Sequence, residues 1–347
     1  MSGTDHRPRA LHLELDAYPE DALAHLATAC EVVDGRDLSI SDLPAALRDG
    51  GYALLFVRLG TPVTSATVAD APDLRLIVTP TTGLDHLDLD GITAAGIRIL
   101  SLRDARTEIT GVHATAELTW ALLLACMRHL PRATADVSAG NWRRQHFLGT
   151  ELAGRTIGIV GHGRLGRRVA GYARAFGMQV LVHDIDASAL IDLAAGTEAV
   201  DIATLLRSAD VVSLHLPLDG TTRHWLDADR IALLRDGAVV VNTARGELID
   251  EDALARTLAG GRLGGVAVDV LADDSTWGSS TGRSPLLRLL GTEANLVITP
   301  HIGGWAQDAV ATTRRLVSRL AVEILAEGGG FEPPRDLTPN TDSSRAP

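Results

Sequence analysis

The feature that most narrows the fold of this chain is an alternation, repeated from end to end, of short strand-forming runs and helical stretches. Residues 10–15, 53–57, 74–78 and 97–100 form one series of strands. Residues 156–160, 179–183, 211–215, 238–242, 265–269 and 296–299 form a second. Strands that alternate with helices build parallel sheets covered by helices on both faces. Two series in 347 residues, at about 150 residues per domain, predict two α/β, doubly wound, parallel-sheet domains. The apolar stretch 113–132 reads as one long helix at the boundary, and after Pro300 the pattern turns helical again over 307–327. One domain is therefore expected from 1–112 with 301–330, a second inserted at 113–300, and 331–347 as a flexible polar tail.

The second series opens with a glycine signature. Thr156-Ile-Gly-Ile-Val160 runs into Gly161-His-Gly-Arg-Leu-Gly166 and then into a helical stretch, 167–176. In G-x-G-x-x-G the first glycine permits a tight turn, and the second lets the backbone approach a pyrophosphate. The third lets helix and strand pack closely. The helix start adds N–H groups and a positive dipole end for the anion. The next strand ends at Asp184, about 20 residues on, where a carboxylate accepts the ribose hydroxyls of NAD and repels a 2′-phosphate. Ile185 and Asp186 follow, with no arginine to favour NADP. The cofactor predicted is NAD, on a Rossmann domain.

Composition removes several other classes. All 32 basic residues are Arg, against 44 acidic ones, for a formal net charge of −12. That balance repels phosphate backbones, so no nucleic-acid partner is expected. The lack of lysine excludes Schiff-base chemistry and a phosphate-loop lysine. Cys30 and Cys126 stand alone, without the spacing of a disulfide framework or a metal site, so no metal is expected. Residues 1–15 do not read as a signal peptide, and the apolar run 120–127 is too short for a bilayer. The expectation is a cytoplasmic protein with no membrane partner.

Three late segments carry reactive side chains after strand ends: Val241-Asn-Thr-Ala-Arg-Gly246, Val268-Asp-Val-Leu-Ala-Asp-Asp274 and Thr299-Pro-His-Ile-Gly-Gly304. Ligands bind at such ends in open parallel sheets. With the 161–166 turn, Asp184, His215-x-Pro217, the helix Thr115-Ala-Glu-Leu-Thr-Trp120 and Trp142, the chain resembles the D-isomer-specific 2-hydroxyacid dehydrogenase family over roughly residues 58–327. The resemblance implies a Rossmann domain inserted in a flavodoxin-like substrate domain. It also implies NAD-dependent hydride transfer between nicotinamide and a small D-2-hydroxy acid or 2-keto acid, and a homodimer formed through 113–132 and Trp142.

The resemblance also implies roles. Arg245 would hold the substrate carboxylate and polarise the 2-keto oxygen, which suits a planar guanidinium fork. His301 would be general acid in reduction and general base in oxidation, its imidazolium stabilised by an acidic partner. Family members usually carry Glu five residues after the Asp of the 265–269 strand. Here that position is Asp274, one methylene shorter and followed by Ser275; Asp274 is the expected partner of His301, with Asp273 as the alternative. Cofactor contacts would come from Gly161, His162, Gly163, Arg164, Leu165, Gly166, Asp184, His215, Pro217, Thr243, Ala244, Asp269 and Gly303. Asp269 resembles the residue that meets the nicotinamide carboxamide.

The substrate turn departs from the family pattern. Val78-Thr-Pro-Thr-Thr-Gly-Leu-Asp85 carries threonines where a basic residue and an extra glycine are usual. Thr82 and Gly83 are candidate substrate contacts, with Gly83 expected to supply the φ of a backbone nest. The hydroxyls of Thr79, Thr81 and Thr82 equally fit bracing the turn. Arg58 and Arg103 would add cations for a substrate with two anionic centres, such as a phosphonate or dicarboxylate, and Trp305 would wall the pocket. Formate- and phosphite-oxidising relatives are disfavoured by Asp274 and by the missing lysine. The alternative from another class is an NAD-sensing regulatory or binding protein of the same fold.

Overall fold

The computed structural model describes residues 7–274 and 282–327. Ser275 and the segment expected as a tail, 331–347, lie outside them. The chain divides into two compact units, one formed by Met1–Gly111 with the segment from Gln307 onward, the other by Val112–Ala306. The second division falls six residues after the expected return at 301, so His301 and Gly303 belong to the inserted unit.

The first unit holds a five-stranded parallel sheet in the order β2-β1-β3-β4-β5. Its strands are β1 (Arg9–His12), β2 (Glu31–Asp34), β3 (Tyr52–Phe56), β4 (Leu76–Val78) and β5 (Arg98–Leu100). This is the flavodoxin-like order. Leu11, Leu55, Ile77 and Ile99 pack on one face with Leu43, Leu47, Val68 and Ile92. On the helix Gln307–Ala326, the buried Arg314 donates to Glu14 just beyond β1.

The second unit holds seven parallel strands in the order β12-β11-β10-β9-β6-β7-β8. They are β6 (Thr156–Val160), β7 (Gln179–His183), β8 (Thr197–Ala199), β9 (Val211–Leu214), β10 (Val239–Asn242), β11 (Gly265–Val268) and β12 (Leu296–Ile298). Order reverses at β6, which lies between β7 and β9, and this is the Rossmann arrangement. Both faces are buried, so the strands are apolar almost throughout. Ile157, Ile159, Val180, Val182 and Val241 face one core; Val160, Val212, Leu214, Val240 and Val266 face the other.

Two strands are not evident from apolar runs: β2 (EVVD) and β8 (TEA). Each is the edge strand of its sheet and half solvated, so neither carries the continuous apolar signal of a central strand. The helix expected over 113–132 is in fact two. Ala114–Met127 ends at Arg128, His129 adopts φ 51°, and Leu130–Ser138 begins with Pro131 in its first turn. Proline is disfavoured within a helix but suits a helix start, so the chain breaks just before it.

The stretch Glu108–Met127 is long and apolar enough to cross a membrane. In the structure its helical part, Ala114–Met127, instead buries Ala116, Trp120, Leu122, Leu123 and Cys126 against β10, β11 and β12. A helix apolar on nearly all sides is a core helix when other elements cover it. Leu123 is 1% exposed, so Leu123→Ala is expected to cost about 2–5 kcal/mol of stability. Urea denaturation checks this as a lowered midpoint at unchanged slope.

Candidate active site

The glycine turn is dictated by packing. Gly161 has φ +89°, and a Cβ there would stand 2.6 Å from the His215 carbonyl oxygen. Gly166 is pressed against the same turn, where a Cβ would lie 2.0 Å from the Gly161 oxygen. Around Gly163, in contrast, a Cβ would meet nothing within 4 Å. That open side is where backbone can meet a ligand. Gly163 is the N-cap of Arg164–Ala175, whose first-turn N–H groups receive no side-chain cap. An uncapped helix start beside open space fits a pyrophosphate.

Asp184 is fixed beside this turn. One carboxylate oxygen accepts the His162 N–H at 2.6 Å and the other the Asp186 N–H at 2.9 Å. Its remaining lone pairs fit ribose hydroxyls, and the exposed Ile185 and Asp186 bring no positive charge. The nearby Arg167 is spent on the carbonyls of His162 and Ala189, at 3.0 and 3.3 Å. The site therefore fits NAD, held by the turn at 161–166 and by Asp184. The buried His162 ring bonds the Ala189 carbonyl at 2.8 Å, so its side chain braces the loop. Leu165 packs against the core, and Arg164 reaches the Val112 carbonyl at 3.3 Å.

His215 follows β9 and bonds Ser213 Oγ through Nε2 at 2.9 Å. Burial pulls its imidazole down to about 4, so it is neutral at physiological pH. Pro217, two residues on, is exposed. The Thr243 hydroxyl is bonded to Thr119 Oγ1 at 2.7 Å inside the unit, and the Ala244 N–H is held by Asn242 Oδ1 at 3.0 Å. These expected cofactor contacts thus have internal work shaping the loops after β9 and β10.

Arg245, Asp274 and His301 follow three adjacent strands, β10, β11 and β12. Asn242 brackets the Arg245 turn, donating from Nδ2 to the Arg245 carbonyl at 2.7 Å. The next residue must be glycine, because a Cβ on Gly246 would lie 2.0 Å from the Leu271 carbonyl carbon. The His301 loop is organised by Asp269, which is buried. Its Oδ1 accepts Thr299 Oγ1 at 2.6 Å and the Ile302 N–H at 2.9 Å, and its Oδ2 accepts the Gly303 N–H at 2.7 Å. Burial raises its pKa and these donors oppose that rise.

Held this way, His301 takes φ +54° and presents Nδ1 to Asp274 Oδ2 at 3.0 Å. Of the two aspartates left open by the sequence, Asp274 is therefore the one beside the imidazole. Asp273 is exposed and its N–H donates to Glu247 Oε1 at 3.2 Å. With Nδ1 engaged, Nε2 is the ring nitrogen left to exchange a proton with a ligand.

The remaining candidates lie in the first unit. Arg103 Nε donates to the Thr82 carbonyl at 2.8 Å, which brings Arg103, Thr82 and Gly83 to one turn. Gly83 is not among the residues with positive φ, contrary to expectation. The turn is shaped instead by Thr81, whose hydroxyl donates to the Gly83 carbonyl at 2.7 Å and meets Thr79 Oγ1 at 2.9 Å. Here the threonine hydroxyls brace the turn. Arg58 is exposed after β3, where its charge acts on the buried Glu14. Trp305 is 58% exposed. Among the described residues no group of three or more His, Cys, Asp or Glu is placed to hold a metal ion.

A glycine turn at the strand reversal and a carboxylate at the next strand end define a dinucleotide-binding α/β protein, which also carries an acid–imidazole pair. Sequence comparison agrees. The model of the "D-isomer specific 2-hydroxyacid dehydrogenase, NAD binding domain" matches residues 120–303. D-3-phosphoglycerate dehydrogenase of Methanocaldococcus jannaschii is 35% identical over 314 residues, 90% of this chain. The chain spans 57% of that relative's length. Hydroxypyruvate reductase of Thermotoga maritima is 36% identical over 276 residues, 80% of this chain and 85% of that one. The D-lactate dehydrogenase of Aquifex aeolicus, solved with NAD and lactic acid, superposes with a TM-score of 0.75 at 26% identity, covering 92% and 96% of the two chains. The chain belongs to the D-isomer specific 2-hydroxyacid dehydrogenase family.

Two residues that shape the site had no evident role in the sequence, Glu247 and Glu251. Glu251 reads as an ordinary first-turn helix acid, and its contact with Ala272 spans 21 residues. For the cofactor site, Asp184→Ala is expected to weaken NADH binding by about 1–3 kcal/mol, the cost of a lost charged hydrogen bond. It is also expected to narrow the preference over NADPH. Fluorescence titration with both nucleotides checks this, and unchanged selectivity would refute the assignment.

Proposed function

We propose that the protein is an NAD-dependent oxidoreductase interconverting a small D-2-hydroxy acid and its 2-keto acid. The observation that carries this reading is the 3.0 Å contact between His301 Nδ1 and Asp274 Oδ2 in a domain that also holds the dinucleotide turn. NAD, when bound, supplies or accepts the hydride. The Arg245 guanidinium binds the substrate carboxylate and polarises the 2-oxygen through its planar fork. In reduction His301 Nε2 donates a proton to the keto oxygen; in oxidation it takes one from the hydroxyl. Asp274 orients the ring and stabilises the imidazolium. Arg58, Thr82, Gly83 and Arg103 are proposed to contact the substrate, and Thr243, Ala244, Asp269 and Gly303 to line the cofactor site.

The same proposal includes a homodimer in the cytoplasm, with neither nucleic acid nor membrane as partner. The segment after the core helix supports the dimer, for it exposes Leu130, Val137, Trp142 and Leu148, the last two at 87% and 88%. Exposed apolar residues concentrated on one segment suit an interface. The net charge of −12 supports the lack of a nucleic-acid partner. The buried free thiols Cys30 and Cys126 are in keeping with a reducing compartment.

The test is NADH oxidation against a panel of 2-keto acids, from glyoxylate, pyruvate and hydroxypyruvate to dicarboxylic, phosphorylated and phosphonate-bearing members. Turnover of at least one is expected. His301→Ala should lower kcat by about 10²–10⁴-fold while NADH still binds. Arg245→Lys should be nearly as severe, since a point charge does not replace the fork. Tight NADH binding with silence across the panel would favour the NAD-sensing alternative.

A further inference from the structure

The Asp274 carboxylate reaches His301 from a short side chain, so the backbone that carries it must be placed closely. That backbone, 271–274, follows the end of β11, and Asp273 within it takes φ +58°. A non-glycine residue in the left-handed region costs energy and persists where its surroundings hold it. The surroundings here are two glutamates from the segment that follows Arg245. Glu251 Oε1 accepts the Ala272 N–H at 2.8 Å, and Glu247 Oε1 accepts the Asp273 N–H at 3.2 Å.

Glu251 is the stronger of the two. It is 8% exposed, and its second oxygen accepts Ser284 Oγ at 2.6 Å. Among the described residues no cation is paired with it, and burial, with Glu247 and Asp274 nearby, raises its pKa. A buried carboxylate without a counter-ion is costly, so its two hydrogen bonds are what keep it in place. One of them is to the peptide two residues before Asp274.

We propose that Glu251, assisted by Glu247, is a positioning residue that holds the 271–274 backbone so that Asp274 meets His301 Nδ1. Its kinetic consequence rests on the acid–base reading of His301. The clamp also joins the Arg245 segment to the Asp274 segment, which Gly246 already presses together at Leu271. What Glu251 contributes is the reach of its oxygen, and two conservative substitutions separate reach from charge. Glu251→Gln keeps the reach and an acceptor for Ala272, and its amide donates to Ser284. Glu251→Asp keeps the charge and withdraws the oxygen.

With the best 2-keto acid of the panel, Glu251→Asp is expected to lower kcat about ten- to hundredfold, the scale of a misplaced catalytic group. NADH affinity should be unchanged, and Glu251→Gln should retain most of the activity. Combined with Asp274→Ala, Glu251→Asp should cause no further loss, because it acts through Asp274. The reverse ranking of the two variants, or additive losses in the double variant, would overturn the proposal. Proton NMR of the His301 ring, assigned by its loss in His301→Ala, provides a readout independent of turnover. Its Nδ1 proton signal should move in Glu251→Asp and stay in Glu251→Gln, and an unmoved signal in both overturns the positioning role. Full turnover in His301→Ala would instead refute the catalytic reading, leaving the NMR result to decide the positioning.

Discussion

The arrangement of the His301–Asp274 pair depends on one buried carboxylate. Asp269 directly follows β11 and gathers Thr299, Ile302 and Gly303, donors from the loop that follows β12. Its own carbonyl accepts the His301 N–H at 2.8 Å. Two neighbouring strands are thereby locked together just where their hydrogen-bond ladder stops, and the loop between Thr299 and Gly303 has little freedom left. The φ of +54° at His301 is a product of that lock. Such a conformation costs on the order of 1 kcal/mol or more, and it is held by bonds to a carboxylate rather than by the histidine itself.

The sheet determines which residues can share this edge. In a parallel sheet all strands end on the same side, so Gly161, Asp184, His215, Arg245, Asp269 and His301 emerge along one rim. Reversal of strand order at β6 sets β9 directly against β6, which is why Gly161 meets the His215 carbonyl and has no room for a side chain. On the other side of β9, the consecutive neighbours β10, β11 and β12 carry arginine, aspartate and histidine. The cofactor turn and the acid–base pair are separate constructions on one frame.

Much of this frame was legible in the sequence, for reasons that differ between elements. Central strands such as 239–242, buried on both faces, announce themselves as apolar runs. The edge strands Glu31–Asp34 and Thr197–Ala199 do not, because one side of each is solvated. The glycines of 161–166 were readable because Gly161 and Gly166 each exclude a side chain for a separate steric reason, while Gly163 leaves its side of the turn open. Gly83 misled, since the turn it occupies is shaped by the Thr81 hydroxyl and not by left-handed backbone. The break at His129 was obscured because the apolar pattern runs up to it while the proline that starts the next helix lies two residues beyond. Spacing favoured Asp274 over Asp273 without deciding between them; the backbone turn between Leu271 and Asp274 is what sets the Asp274 carboxylate against the imidazole.

That turn shows why a shorter acid does not imply a weaker pair. A side chain with one methylene fewer meets its partner only if the main chain moves in, and a main chain outside regular structure stays where hydrogen bonds put it. Here the Leu271, Ala272 and Asp273 N–H groups are all engaged by carboxylates, from Asp274 itself, Glu251 and Glu247 respectively. Three successive peptide donors bound to three acidic side chains fix the segment more firmly than the lone contact at His301 could. The acidic residues after Arg245 thus serve the far side of the site. Backbone placement supplies the reach that the aspartate side chain lacks, and the His301–Asp274 contact at 3.0 Å is its result.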